Sequence, residues 1–176
     1  MSRIVAGTHR GRTLAVPRGA ATRPTADRAR EGLFSSLLSL LDLEGARVLD
    51  LYAGSGALGL EALSRGAATA TLVESDERAV AVLHTNVARL ELPATVVAEP
   101  VERFLAGPPE PYDLVLLDPP YELDVDPVLA ALGPWAADVV VAERRTRGPA
   151  PTWPPGLEPL RSRRYGEATL WYGSRS

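Results

Sequence analysis

The sequence predicts an α/β fold: a mostly parallel sheet with helices on both faces, a C-terminal antiparallel hairpin, and an N-terminal β-hairpin and helix in front of it. Three observations carry that expectation. From Arg47 onward short apolar runs alternate with stretches of helical spacing; the runs are apolar throughout; and the last two β-prone runs follow each other with no helix between them. Strands covered on both faces lose the apolar-polar alternation, parallel neighbours need a crossover, and strands in direct succession pair antiparallel.

Element by element, residues 3–16 hold two short β-prone runs around a Gly, His and Arg turn, which predicts a hairpin. Residues 17–24 form a linker. Thr25 is suited to cap a helix reaching Leu41, with Leu33, Phe34, Leu37, Leu38 and Leu41 on one face. Strands are expected at 47–51, 70–73, 95–98, 113–117 and 138–142, and helices at 57–65, 77–90, 101–105 and 128–132. The Pro-rich stretch 148–156 is a loop, and 157–163 with 168–173 make the terminal hairpin. The expected division is a basic unit of residues 1–24 and a main domain of residues 25–176.

Composition narrows the chemistry. A chain of 176 residues, 45% hydrophobic, closes one sizeable core. The absence of cysteine excludes a disulfide framework, a Cys-type zinc site, an iron-sulfur cluster and a thiol nucleophile, and two histidines do not suit a His-rich metal centre, so no metal is expected. No leader-like segment and no apolar run of about 18 residues is evident, which predicts a cytoplasmic protein without a membrane partner.

Net charge is -3, but it is segregated. Residues 1–31 carry seven arginines against Asp27 and Glu31, a balance of +5, and residues 144–176 carry seven against Glu158 and Glu167, again +5. The middle, residues 32–143, holds five arginines and eighteen carboxylates, or -13. Basic ends on an acidic middle suit a polyanion held by the ends, although solvated surface arginines would look the same on charge alone. All nineteen cations are arginine.

The strand Val48-Leu49-Asp50-Leu51 runs through Tyr52 and Ala53 into Gly54-Ser55-Gly56, and a helix follows with Gly59 in its first turn. Such a turn lets a nucleotide lie against bare backbone at the carboxyl edge of a parallel sheet. Glu74 ends the next strand, eighteen residues after Gly56, where a carboxylate can accept hydrogen bonds from both ribose hydroxyls. Gly54, Gly56 and Gly59 also satisfy the G-x-G-x-x-G spacing, so the glycines alone do not choose between NAD and S-adenosylmethionine. Asp50, four residues before Gly54, favours the second: a carboxylate suits an ammonium group and repels a pyrophosphate.

Asp118-Pro119-Pro120-Tyr121 follows the fourth strand and is the most specific feature of the chain. An exocyclic amine on a base is a poor nucleophile because its lone pair is delocalised into the ring. Two acceptors aimed at its hydrogens, the Asp118 side chain and the Pro119 carbonyl, localise that lone pair and stabilise the developing positive charge. The prolines hold φ, and Tyr121 is placed to stack on an extruded base.

With these motifs the chain resembles the class I, Rossmann-like methyltransferases of the D/N-P-P-Y type. More narrowly it looks like the bacterial 16S ribosomal RNA guanine-N2 methyltransferase family (RsmD type). The likeness spans nearly the whole chain, from Arg3-Ile4-Val5-Ala6-Gly7, Arg10-Gly11-Arg12 and Arg23-Pro24-Thr25 to Tyr165-Gly166 and Thr169-Leu170-Trp171-Tyr172. It implies methyl transfer from S-adenosylmethionine, leaving S-adenosylhomocysteine, to N2 of one guanine of 16S ribosomal RNA in the small subunit or its assembly intermediate, by a monomer. By position, Asp50, Tyr52, Ala53, Gly54, Ser55 and Gly56 would hold the methionine end, and Glu74 with Ser75 the ribose. Glu99 stands where the family usually has an Asp near the adenine; its extra methylene and the following Pro100 depart from that pattern. Asp118 to Tyr121 would be the catalytic motif, with Asp118 also against the cofactor. His9, Arg10, Arg12, Arg23 and Arg28 would contact RNA.

Rival expectations are a DNA adenine-N6 methyltransferase, which shares the tetrapeptide but needs a separate recognition segment, and a protein glutamine-N5 methyltransferase, which the arginine-rich ends do not suit. An NAD-dependent dehydrogenase leaves the tetrapeptide unexplained, as does a non-catalytic RNA-binding protein on the same fold. Residues that discriminate guanine from adenine are expected in loops such as 122–126.

Overall fold

The computed structural model describes residues 2–19 and 24–176, the side chains of 24, 25, 136 and 137 excepted. Arg23, the end of the linker and the Thr25 side chain therefore lie outside the described residues. Two short strands, β1 (Ser2–Arg3) and β2 (Thr13–Leu14), pair antiparallel and are followed by α1 (Pro24–Leu37). The sheet-and-helix alternation then runs β3 (Arg47–Leu51), α2 (Ala57–Ser64), β4 (Thr69–Val73), α3 (Glu77–Leu90), β5 (Ala94–Val97) and α4 (Val101–Leu105). It closes with β6 (Tyr112–Leu117), α5 (Asp126–Ala131), β7 (Ala136–Arg145), β8 (Leu157–Tyr165) and β9 (Ala168–Arg175).

The large sheet has the order β5-β4-β3-β6-β7-β9-β8. Pairings from β5 to β7 are parallel, and β9 runs antiparallel to both β7 and β8. The terminal hairpin therefore folds back, so that the last strand enters the sheet and β8 becomes its edge. Helices cover both faces: one core cluster gathers Ile4, Leu14, Phe34, Leu60 and Tyr172, and the other Leu49, Leu117, Leu129, Trp135 and Leu157.

Several boundaries differ from expectation. Helix α1 stops at Leu37 instead of Leu41, and Leu38, placed on its apolar face by spacing, is 70% exposed. The reason is local: Leu40 N–H donates to the Leu37 carbonyl at 2.9 Å, an i to i-3 closure, and Ser39 Oγ donates to the Ser36 carbonyl at 2.8 Å. Serine hydroxyls compete in this way with helical bonding. Thr25, expected as the cap, falls inside the helix, which opens on Pro24. In its turn β7 runs on to Arg145 because β9 extends the ladder to Arg145 opposite Ala168.

The N-terminal hairpin is bound to the main sheet by a buried charge. Glu61, in α2 and 0% exposed, accepts Val5 N–H at 2.7 Å and Ala6 N–H at 3.0 Å, and pairs with Arg65 at 2.9 Å and Arg30 at 3.8 Å. Arg30, itself buried in α1, donates to Ser2 Oγ at 3.0 Å and the Arg3 carbonyl at 2.7 Å. Hairpin, α1 and α2 thus share one polar hub in which each charge is paired. Breaking a buried pair strands its partner, at a cost of about 3–5 kcal/mol. Glu61→Ala should lower the unfolding free energy by about that amount in equilibrium denaturation, against a change of about 0.5 kcal/mol or less for the exposed Glu122→Ala.

Candidate active site

From β3 the chain proceeds to β4 on one side and returns to β6 on the other. That reversal opens a crevice beyond the carboxyl ends of β3 and β6, where open α/β sheets bind ligands. Leu51 pairs with Leu117 across the two strands, so the glycine loop and the acidic tetrapeptide emerge side by side.

Asp50 is 1% exposed and its Oδ2 accepts Gly59 N–H at 2.9 Å. Burial pushes its carboxyl up to about 7, opposed by the Gly59 N–H and reinforced by the charge of Glu74. Its Oδ1 is buried without a hydrogen-bond partner among the described residues. The loop backbone then turns through left-handed conformations at Tyr52 (φ 62°), Gly54 (φ 58°) and Gly56 (φ 86°). At Gly56 a Cβ would lie 2.5 Å from Leu83 Cδ1, whereas at Gly54 it would meet nothing within 4 Å. Gly56 is thus required by packing as well as by φ, and Gly54 leaves open space beside bare backbone.

Glu74 braces this loop: Oε1 accepts Gly54 N–H at 2.9 Å, and Oε2 accepts the N–H groups of Ser75 and Asp76 at 2.8 and 2.9 Å. Each carboxylate oxygen has further lone-pair capacity for a hydroxyl. Asn86, 1% exposed in α3, donates to the Ser55 carbonyl at 2.9 Å and exchanges hydrogen bonds with the N–H and carbonyl of Ala15. It ties the glycine loop to the chain just after the N-terminal hairpin. Ala53 N–H donates to the Val73 carbonyl at 2.9 Å, while Tyr52 Oη donates to Glu102 at 3.2 Å, its pKa raised by burial and then by the Glu102 charge. Glu99, two residues beyond β5, pairs with Arg103 at 3.5 Å.

The tetrapeptide is held from β7. Arg144, 9% exposed, donates to the carbonyls of Pro120 at 3.3 Å, Tyr121 at 3.0 Å and Leu123 at 2.7 Å. One guanidinium therefore fixes the backbone on both sides of Tyr121. Asp118 is exposed toward the crevice but crowded by protein behind. That crowding pushes its carboxyl well above the carboxylate range, helped by the charges of Glu143 and Asp50 and by a hydrogen bond with Glu143, and opposed by Arg144. Burial also raises Glu143, while hydrogen bonds from Asp118 and Tyr121 lower it. Tyr121 Oη lies 3.5 Å from Glu143 Oε1, and the Arg145 guanidinium sits over the Tyr121 ring at 5.0 Å.

Asp50, Glu74 and the tetrapeptide thus converge on one crevice. The residues expected at RNA have mixed placements. Arg10 and Arg28 are exposed; Arg12 is exposed but donates to the Arg89 carbonyl at 3.0 Å, and His9 Nε2 lies 2.9 Å from the Leu90 carbonyl. Sequence reasoning passes over Asn86, Glu143 and Arg144. A signal for the last two exists: a Glu-Arg pair at the carboxyl end of an otherwise apolar strand.

Residues 2–174 match the family described as conserved hypothetical protein 95. Ribosomal RNA small subunit methyltransferase D of Escherichia coli strain K12 is 42% identical over 158 residues, covering 86% of this chain and 79% of that protein. The chain belongs to this family, the RsmD type of methyltransferase. A putative rRNA methyltransferase of Bacillus subtilis strain 168 is 39% identical over 125 residues, 68% of this chain and 67% of that one. Among solved structures, a putative methyltransferase from Escherichia coli superposes with a TM-score of 0.89 at 36% identity, covering 99% of this chain and 97% of the other. The family sheet is the Rossmann-like methyltransferase sheet found here. Among the described residues no helix is long and apolar enough to cross a membrane, and no cluster of His, Cys, Asp or Glu forms a metal site.

The state of Asp50 is open to a direct test. Its folded pKa of about 7 lies above the ordinary value of 3.8, so its contribution to stability is present below about pH 4 and is lost as pH rises to about 7. Asp50→Asn should therefore gain stability relative to the parent between pH 5 and pH 8, read from denaturant midpoints at each pH. An equal gap at both pH values would mean that Asp50 is ionised throughout.

Proposed function

We propose that this protein transfers a methyl group from S-adenosylmethionine to the exocyclic N2 of a guanine in 16S ribosomal RNA, within the small ribosomal subunit or an assembly intermediate. The observation that carries the reading is the placement of the Asp118-Pro119-Pro120-Tyr121 backbone, held by Arg144, beside the glycine loop of β3. Identity to a ribosomal RNA small subunit methyltransferase supports the substrate class.

The residues present fit the cofactor. The buried, unpartnered Oδ1 of Asp50 and the open backbone at Gly54 suit its ammonium-bearing methionine end, with Tyr52, Ala53, Ser55 and Gly56 completing the loop. Glu74 with Ser75 would take the ribose, and Glu99 the adenine side. The bound cofactor supplies an electrophilic methyl group on a cationic sulfur. The chain orients the amine: Asp118 and the Pro119 carbonyl accept its two hydrogens, so that the lone pair points at the methyl carbon. With cofactor bound, formation of the N–C bond would be matched by cleavage of the sulfur–methyl bond, the sulfonium leaving as the neutral thioether S-adenosylhomocysteine; the methylated amine would lose its extra proton to the ionised Asp118 carboxylate, with Tyr121 stacked on the extruded base.

On the RNA side, the exposed Arg10, Arg12 and Arg28 with the half-buried His9 meet phosphate, Arg23 is assigned the same role from its place in the sequence alone, and residues 25–176 carry the chemistry. The protein acts as a monomer in the cytoplasm.

Asp118→Ala should abolish methyl transfer to small subunits lacking the modification while leaving cofactor affinity within about threefold, as titration calorimetry would read it, because the cofactor loop is untouched. Label recovered from methyl-labelled cofactor as N2-methylguanine in 16S RNA is the expected product; label in DNA or in a release factor would overturn the substrate. Replacing Arg10 and Arg28 with Ala should flatten the slope of log affinity against log salt by about one unit for each lost phosphate contact. An unchanged slope would return both to ordinary surface.

A further inference from the structure

A cavity of about 200 Å³ opens beside the tetrapeptide. Tyr121 lines it together with small residues, Ala26 and Ala29 of α1, Gly166 and Ala168 of the β8–β9 turn region, and with the carboxylates Glu143 and Glu167. An aromatic ring among alanines and glycine leaves room for a flat group, and among the described residues the lining carries carboxylates and no arginine, which is unlike a phosphate site.

We infer that this cavity is the pocket for the target base and that Glu143 reads the guanine edge by accepting its N1–H. The inference rests on the methyl-transfer reading above and adds to it the residue that selects guanine. Glu143 lies 3.5 Å from the hydroxyl of Tyr121 and shares one proton with Asp118; once that proton is lost to solvent as the base enters, an amine held at Asp118 brings the neighbouring ring atom within reach of Glu143. Guanine presents two adjacent donor groups there, N2–H₂ and N1–H, which match two adjacent carboxyls. Adenine presents its amine next to the lone pair of N1, which an ionised Glu143 opposes. A site built on acceptors rejects an analogue that lacks the donor. This inference puts a discriminating group on β7, beside the expectation of contacts from loops such as 122–126.

The test uses small-subunit RNA, assembled into subunits, with guanine or 2-aminopurine at the target position. 2-Aminopurine keeps the amine but has an unprotonated N1. The parent enzyme is expected to prefer guanine by at least a hundredfold in kcat/KM. Glu143→Gln, whose amide can donate to a bare N1, should shrink that ratio at least tenfold, with cofactor affinity unchanged. A ratio unchanged in this variant overturns the role of Glu143. If Glu143→Gln fails to fold, Ala26→Leu, at an exposed position of α1, keeps the pocket testable: its added bulk should lower kcat/KM for RNA at least tenfold with cofactor binding intact, and parental activity would overturn the pocket. Absence of methylation of the guanine RNA by the parent enzyme would instead overturn the substrate reading, and the inference with it.

Discussion

The parallel pairing of β3 with β6, Leu51 opposite Leu117, decides where the chemistry sits. Both strands end at the same level of the sheet, and the chain leaves each in a turn that cannot continue the ladder: left-handed backbone after β3, two prolines after β6. A one-residue slip would turn Asp50 from its place against Gly59 to the other face and carry the tetrapeptide along the crevice. Leu49, Leu51, Leu114 and Leu116 are all buried, and close packing around them leaves that register firmly specified.

Around this pairing lies a set of braces that convert loops into fixed geometry. Glu74 holds the glycine loop through Gly54, Asn86 holds it through Ser55, and Arg144 holds the tetrapeptide through three carbonyls. None of the three relies on a loop side chain. Each brace sits at the end of a strand or on a helix, where packing limits its rotamers, which is the arrangement a site needs if reacting atoms are to be placed within a fraction of an ångström. Arginine suits the last of these braces because its planar fork donates to several carbonyls at once and does not deprotonate.

Periodicity made most of the fold legible. Strand and helix positions from Arg47 to Ala142 follow from runs of apolar residues, and the glycine loop, Glu74 and the tetrapeptide stand out as local motifs because their chemistry depends on neighbours in sequence. What could not be read was tertiary. Leu38 fits a helical stripe yet is exposed, since Ser36 and Ser39 end the helix first. Asn86 and Glu61 look like ordinary helix polar residues, and only the arrival of residues 5–6 and 15, more than fifty positions away in sequence, shows why they are buried. Glu143 and Arg144 belong to the site through a crossover connection, which no spacing rule spans.

The entry of β9 between β7 and β8 also settles the exposure of the sheet's boundary. Among the described residues β8 is left outermost, with an unpaired ladder edge of the kind that invites a second copy of the chain to add its own strand. Pro159 removes one donor from that strand, the register shifts between Pro159 and Arg161, and Arg161, Arg163 and Arg164 follow. Charge, proline and an irregular register are the devices by which open sheets resist edge-to-edge aggregation. Part of the basic tail is thus suited to a use that needs no nucleic acid, the electrostatic guarding of an open strand.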